Sequence, residues 1–204
     1  MEVTETIVEQ WEYQSDRALV VPHVGGMPSA SFPEDFLIRM YFKTKEQGLF
    51  RRTFPGHSDF SLEWFISYFY KRSFLVPMVK PGEVAGISWI YEVDGPPACR
   101  KASIGFLFFK EHWGETVLQE CARLGVSWFF QEAGISILYA TIAHWNRLSV
   151  RYAKMIGFKM IGTAPKFFVQ DGQPVDVDLM YLKREDFTGN TPERFETISA
   201  ERGV

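Results

Sequence analysis

Residues 137–158 read ILYATIAHWNRLSVRYAKMIGF, and an element order can be taken from that stretch alone. Ile137 to Ala143 reads as a strand. Asn146 and Ser149 fit a helix N-cap and its N3 residue, since a short polar side chain can accept a bond from an unpaired first-turn amide. Arg147 to Ile156 then runs as a helix. Gly157 is its expected left-handed terminator, because a residue without a Cβ adopts that conformation at no steric cost.

Upstream, Val117 to Phe130 is the clearest helix of the chain. Val117, Leu118, Cys121, Leu124, Gly125, Trp128 and Phe129 follow helical period over three turns. Ala98 to Phe109 is extended, so a strand, a long helix and the strand at 137–143 follow one another. Such a unit predicts a right-handed parallel crossover. Ser73 to Val79 and Val84 to Glu92 are two further extended runs, and Asp94-Gly95-Pro96-Pro97 turns the second into the strand at 98–109. Downstream, Lys159 to Val169 and Val175 to Lys183 are strands joined by Asp171-Gly172-Gln173-Pro174.

The N-terminal third is less regular. A helix is expected after Pro55-Gly56, capped by Ser58 or Asp59, with Leu62, Phe65, Ile66 and Phe69 on one face. Phe36 to Lys43 (FLIRMYFK) reads as a strand, ended by Thr44, Lys45-Glu46 and Gly48. Residues 1–35 form an irregular segment with weak alternation around Leu19 to Val21 and a loop composition at residues 25–31. The main domain is 36–187, and the polar tail follows at 188–204. The whole is an α+β sandwich with helices on a largely antiparallel sheet.

Composition narrows the function. The 204 residues carry a formal charge of -3 with no run of Lys or Arg, so nothing steers the chain toward nucleic-acid phosphates. Cys99 and Cys121 lack both metal-ligand spacing and a disulfide framework, so free thiols and no metal are expected. The acidic N-terminus does not resemble a secretory leader. The most apolar stretch, Phe60 to Tyr70, contains Glu63 and is far short of the ~20 residues of a membrane span. A cytoplasmic protein without membrane contact is the expectation.

The element order, with the segments at 104–122 and 141–158, resembles the GNAT superfamily of acyl-CoA N-acyltransferases. It is most similar to the branch that acetylates ribosomal-protein N-termini. Asn146-Arg147-Leu148-Ser149 followed by Lys154-Met155-Ile156-Gly157-Phe158 carries the resemblance most specifically. Lys110-Glu111-His112-Trp113-Gly114, with Glu120, resembles the turn that binds coenzyme A, and Val175 to Asp178 through Arg184 to Asp186 resembles the branch's closing strand. The resemblance implies a mixed, mostly antiparallel sheet of six to seven strands, with one parallel pair that splays. Acetyl-CoA or another acyl-CoA would be the co-substrate. Main-chain groups of Phe106 and Phe108 would hold pantetheine, Gly114, Glu115, Thr116, Val117 and Leu118 would lie under the pyrophosphate, and Asn146 and Ser149 would also bind the cofactor.

The turn departs from the family pattern Gln/Arg-x-x-Gly-x-Gly/Ala. Trp113 stands at the Gln/Arg position, Thr116 at the Gly and Leu118 at the final Gly/Ala. Thr116 with Gln119 also reads as a capping box, which would take an amide the pyrophosphate needs. The chemistry requires a neutral amine, whereas a lysine amine has a pKa near 10.4. His144, just beyond the strand at 137–143, is the first candidate base, and Glu92 the second. The family's acid is a Tyr seven residues after the Asn. Ala153 holds that position here, so the candidate acid is Tyr152, one residue earlier, whose helical phase instead turns it toward a core face with Leu148, Met155 and Ile156. Asp176 and Asp178 share a strand face and read as charged edge protection.

These readings lead to an acyl-CoA-dependent N-acyltransferase acting on a primary amine of a small molecule or a protein N-terminus. The alternatives are a catalytically inactive GNAT-fold binding or structural protein and an unrelated α+β domain. A homodimer is compatible with the sequence. The acceptor groove would come from residues 44–72 and 169–175, where Phe60, Trp64, Tyr68 and Phe168 point to an apolar or aromatic acceptor.

Overall fold

A computed structural model describes residues 13–14, 19–23, 34–54, 60–80 and 83–188. Nine strands form one sheet in the order β1-β2-β3-β5-β6-β7-β9-β8, with β4 paired to β3. They are β1 (Tyr13–Gln14), β2 (Leu19–His23), β3 (Phe74–Lys80), β4 (Glu83–Val84), β5 (Gly86–Asp94), β6 (Lys101–Phe108), β7 (Ile137–Ala143), β8 (Lys159–Gln170) and β9 (Gln173–Lys183). Seven of the nine have five or more residues, which agrees with the expected size of the sheet. The helices are α1 (Glu34–Glu46), α2 (Phe50–Thr53), α3 (Leu62–Tyr70), α4 (Thr116–Gln131) and α5 (Arg147–Ile156).

Pairing is antiparallel throughout except between β6 and β7, which run parallel around α4 as the crossover predicts. Alternation divides the strands between two cores. Leu75, Ile90, Ala102 and Ile104 pack with α4 and α5 on one face. Phe74, Val76, Ile87, Trp89, Leu107 and Phe109 pack with α1, α2 and α3 on the other.

Phe36 to Lys43 is a correction: it is helical, inside α1. Phe36, Leu37, Met40, Tyr41 and Thr44 are buried while Arg39 and Phe42 are exposed, a 3.6-residue rhythm that a run of mostly apolar letters conceals. Two strands, β1 and β2, fall within the segment read as irregular, and β2 pairs with β3. The cap expected at Ser58 or Asp59 lies outside the described residues, and the α3 cap is Ser61, whose hydroxyl accepts from the Trp64 amide.

At α4 the capping box does not form. Glu115 is the N-cap residue and makes no side-chain cap bond, which leaves Thr116 as the first helical residue. Along α5, Val150, Ala153 and Ile156 are buried, whereas Leu148 and Met155 face solvent, so the inward face is turned from the one expected. Gly157 does end α5, at φ +119°. The edge-protection reading of Asp176 and Asp178 also fails, since β9 lies between β7 and β8, inside the sheet.

One further contact positions the site. Lys43 of α1 pairs with Glu111, and its ammonium lies 4.1 Å over the Phe109 ring. Gln47 donates to Glu111 at 2.7 Å and accepts from the Lys110 amide at 2.8 Å. Partial burial raises the Glu111 carboxyl, but the Lys43 and Gln47 bonds outweigh it and hold the group at about 2. The β6–α4 loop is thereby tied to α1.

Candidate active site

The β6–β7 ladder is only three pairs long, Lys101–Ile137, Ala102–Leu138 and Ser103–Tyr139. Beyond Ser103 and Tyr139 the strands part, because each keeps its other partner: β6 follows β5 to Phe108 and β7 follows β9 to Ala143. A cavity of about 370 Å³ opens in the gap. Ile104, Gly105, Phe106 and Phe108 form one wall and Ala140 to Ala143 the opposite one.

Main-chain groups are turned into this gap. Phe109 donates its amide to the carbonyl of Ala85, the residue just before β5, at 2.9 Å. Alternation along the antiparallel ladder then points the amides and carbonyls of Phe106 and Phe108 away from β5, toward the cavity. The Phe108 carbonyl is taken by the Trp113 indole N–H at 2.9 Å, while the Phe106 groups stay open on that side.

Gly114 has φ +90°, and a Cβ added there meets nothing within 4 Å. Among the described residues no backbone carbonyl takes the amides of Thr116 and Val117. Open space therefore lies over free donors at the positive end of the α4 dipole, a place suited to an anion.

Of the expected site residues, Phe106, Phe108, Gly114, Leu118, Asn146, Ser149 and Tyr152 line the cavity, whereas Glu115, Thr116 and Val117 stand beside it at the start of α4. Asn146 is 2% exposed and makes no side-chain cap bond. Its amide group instead bridges to α2, accepting from Arg52 at 3.3 Å and donating to the Arg52 carbonyl at 3.4 Å. Tyr152 packs edge-on against Phe108 and donates its hydroxyl to the Leu118 carbonyl. Burial pushes its phenol well above the usual range.

The candidate bases lie elsewhere: neither His144 nor Glu92 lines the cavity. His144 Nδ1 lies 2.8 Å from Asp178 Oδ1 and Nε2 lies 2.9 Å from the Arg147 guanidinium. Arg147 can only donate, so it occupies the lone pair that a base would use and leaves the ring proton for Asp178. Glu92 sits at φ +52° in a β-bulge and accepts from Ser103 at 2.8 Å.

The acetyltransferase (GNAT) domain model matches residues 33–159. The chain belongs to the GNAT acetyltransferase family. It is 30% identical over 80 residues to the uncharacterized N-acetyltransferase YoaA of Bacillus subtilis (strain 168), covering 39% of this chain and 45% of that protein. The aligned part thus spans less than half the length of the curated relatives it matches. Among solved structures, the ribosomal-protein-S5-alanine acetyltransferase of Vibrio fischeri superposes with a TM-score of 0.68 at 14% identity, over 87% of this chain and 99% of that one. The spermidine N-acetyltransferase of Vibrio cholerae, solved with CoA and spermine, gives 0.67 at 14% identity, over 82% and 96%. At such identities the likeness is one of fold.

Within this GNAT fold, Phe60, Trp64 and Tyr68 line the cavity as the groove reading expects, but Phe168 does not. Arg52, Thr53 and Phe54, inside the expected groove segment 44–72, also line it, whereas Trp89 and Tyr91 line it and were missed by the sequence reading. Trp89 and Tyr91 share one face of β5, a period-2 signal present in the sequence. Arg52 left no signal, because its neighbour Asn146 is 94 positions away. Among the described residues no cluster of His, Cys, Asp or Glu is arranged to hold a metal, and no helix is long and apolar enough to cross a membrane.

Proposed function

We propose that the protein is an acyl-CoA-dependent N-acetyltransferase that moves an acetyl group onto a primary amine. The observation that carries this reading is the early end of the β6–β7 ladder, with a cavity in the gap and main-chain groups turned into it. The residues fit coenzyme A: Phe106 and the Phe108 amide toward pantetheine, and Gly114 with the Thr116 and Val117 amides toward the pyrophosphate. When bound, the thioester supplies an activated acyl carbon.

The chain's own part is to position and to exclude water. The amine lone pair forms the new C–N bond, the C–S bond breaks, and the proton lost by the amine ends on the thiol. Apolar walls from Phe106, Ile142 and Leu118 keep water from competing as nucleophile. In this reading the amine arrives already neutral, its ammonium proton having gone to solvent, and among the described residues no His or carboxylate lines the wall.

Isothermal calorimetry with coenzyme A tests the reading, and binding is the expected result. Gly114→Val should weaken it by about tenfold, since the β-branched side chain fills the open space and strains a positive φ. Absence of binding by the wild type removes the transferase reading.

Tyr152→Phe should cost about 1 kcal/mol of stability through the lost bond to Leu118 and leave turnover within a few-fold of wild type. His144→Ala should likewise retain turnover. A loss of about 10²–10⁴-fold in either variant, at an unchanged melting temperature, would make that residue the acid or base.

A further inference from the structure

We propose that the acceptor amine is carried on a flat aromatic body and sits in the cavity uncharged. This deepens the transferase reading and rests on it. The wall on the α2 and α3 side consists of Phe54, Phe60, Trp64, Tyr68, Trp89 and Tyr91. The rings are layered: Phe60 lies on Trp64 at 3.7 Å and 16°, Trp64 on Tyr68 at 4.7 Å and 27°, and Phe54 on Trp89 at 5.5 Å and 25°. Phe54, Phe60 and Trp89 are almost fully buried and back this wall. The half-buried Trp64, Tyr68 and Tyr91 therefore supply the open ring surface, which favours another ring by offset or edge-to-face contact that an alkyl chain cannot reproduce.

Charge points the same way. Among the described residues that line the cavity there is no Asp, Glu, Lys or His, and Arg52 is the single charged side chain. The titratable groups facing the space are otherwise phenols: Tyr68 from α3, Tyr91 from β5 and Tyr152 from α5. Burial raises all three, Tyr91 to about 12, so none supplies an anion near neutral pH. Arg52 makes no ion pair among the described residues. It bonds Asn146, and its guanidinium lies 5.8 Å from the Trp113 ring and 5.6 Å from the Trp145 ring.

A polycation entering here would lose its hydration and meet an arginine with no carboxylate in return among the described lining residues. A single ammonium would be driven toward its neutral form by the same desolvation and like charge. The wall therefore selects the protonation state that acyl transfer needs: the ammonium proton leaves to solvent, the lone pair attacks the thioester carbon, and the thiol departs.

The test follows thiol release by the full chain with acetyl-CoA and three acceptors: phenethylamine, hexylamine and spermidine. kcat/KM for phenethylamine should exceed the other two by about tenfold or more. Trp64→Ala should raise the KM for phenethylamine by about tenfold and that for hexylamine by only about two- to threefold, with the calorimetric affinity for coenzyme A unchanged. Trp64→Phe, which keeps a ring, should restore it. Arg52→Glu should improve spermidine relative to phenethylamine. Preference for spermidine or hexylamine, or no acetylation of any acceptor by protein shown to bind coenzyme A, overturns the proposal and leaves the cofactor site standing. Failure to bind coenzyme A removes the transferase reading and this proposal with it.

Discussion

Gly105→Ala is expected to lower the melting temperature by about 10 °C, from an overpacking cost near 3 kcal/mol and the ~2–4 °C per kcal/mol typical of this chain length. Gly105 pairs with Trp89 across the β5–β6 ladder. A Cβ at Gly105 would stand 2.3 Å from the Trp89 ring, well inside contact distance. The indole is held on its other sides and can yield only into the cavity. It is 1% exposed, lies against Phe54 and Phe69, and donates to the Tyr68 hydroxyl at 3.1 Å. The side chain must leave its rotamer or the two strands must separate, and both outcomes reshape the cavity wall that Gly105 and Trp89 share. Thermal melts followed by circular dichroism measure the loss. In the Gly105→Ala background, Trp89→Leu should cost much less than it does alone, a coupling that a double-mutant cycle reads directly. An unchanged melting temperature for Gly105→Ala would show that the indole is not confined.

Asp178→Ala should cost about 2–3 kcal/mol at neutral pH, because a buried carboxylate is removed from partners that stay behind. Asp178 is 1% exposed. Its Oδ1 takes the His144 ring at 2.8 Å and accepts the Thr163 hydroxyl at 2.7 Å, and Arg147 stands 3.8 Å from Oδ2. Burial pushes the carboxyl up, but the His144 and Thr163 bonds and the nearby Arg147 guanidinium outweigh it and hold the group below its usual value. The unfolded chain then binds the proton more readily than the folded one near pH 4. Stability from this carboxylate is complete above its ordinary value of about 3.9 and is lost as pH falls through the lower folded value. Asp178→Asn keeps an acceptor oxygen for His144 and Thr163, so it should be milder at pH 7 and should flatten the acid limb of stability against pH. Urea titrations at pH 7, 5 and 3 check both statements. An acid limb identical in wild type and Asp178→Asn would remove the carboxylate from the account.

His144 shows where local reading stops. Its place after β7 is fixed by its neighbours in sequence, and the sequence made it the first candidate base. Whether its lone pair is free depends on Arg147, three residues on at the start of α5, and its orientation depends on Asp178, which is 34 positions distant. Asn146 behaves similarly: its position at the head of α5 is local, but its side chain goes to Arg52 instead of to its own helix.

What the sequence determined was the stretch from β6 through α5 and the closing hairpin. There the helical period, the Gly157 terminator, the Asp171-Gly172 turn and the parallel crossover all act over a few residues and agree with one another. β7 and α5 have the limits read from the letters, Ile137–Ala143 and Arg147–Ile156. Tertiary structure decided α1, where burial against α3 made a helix of a run that reads locally as a strand. It also decided the active-site wall, because α2, α3, β5, β6, β7 and α5 each contribute a few side chains to one cavity. Contacts between such distant segments leave no periodic trace in a single sequence, so the scaffold was legible and the chemistry inside it was not.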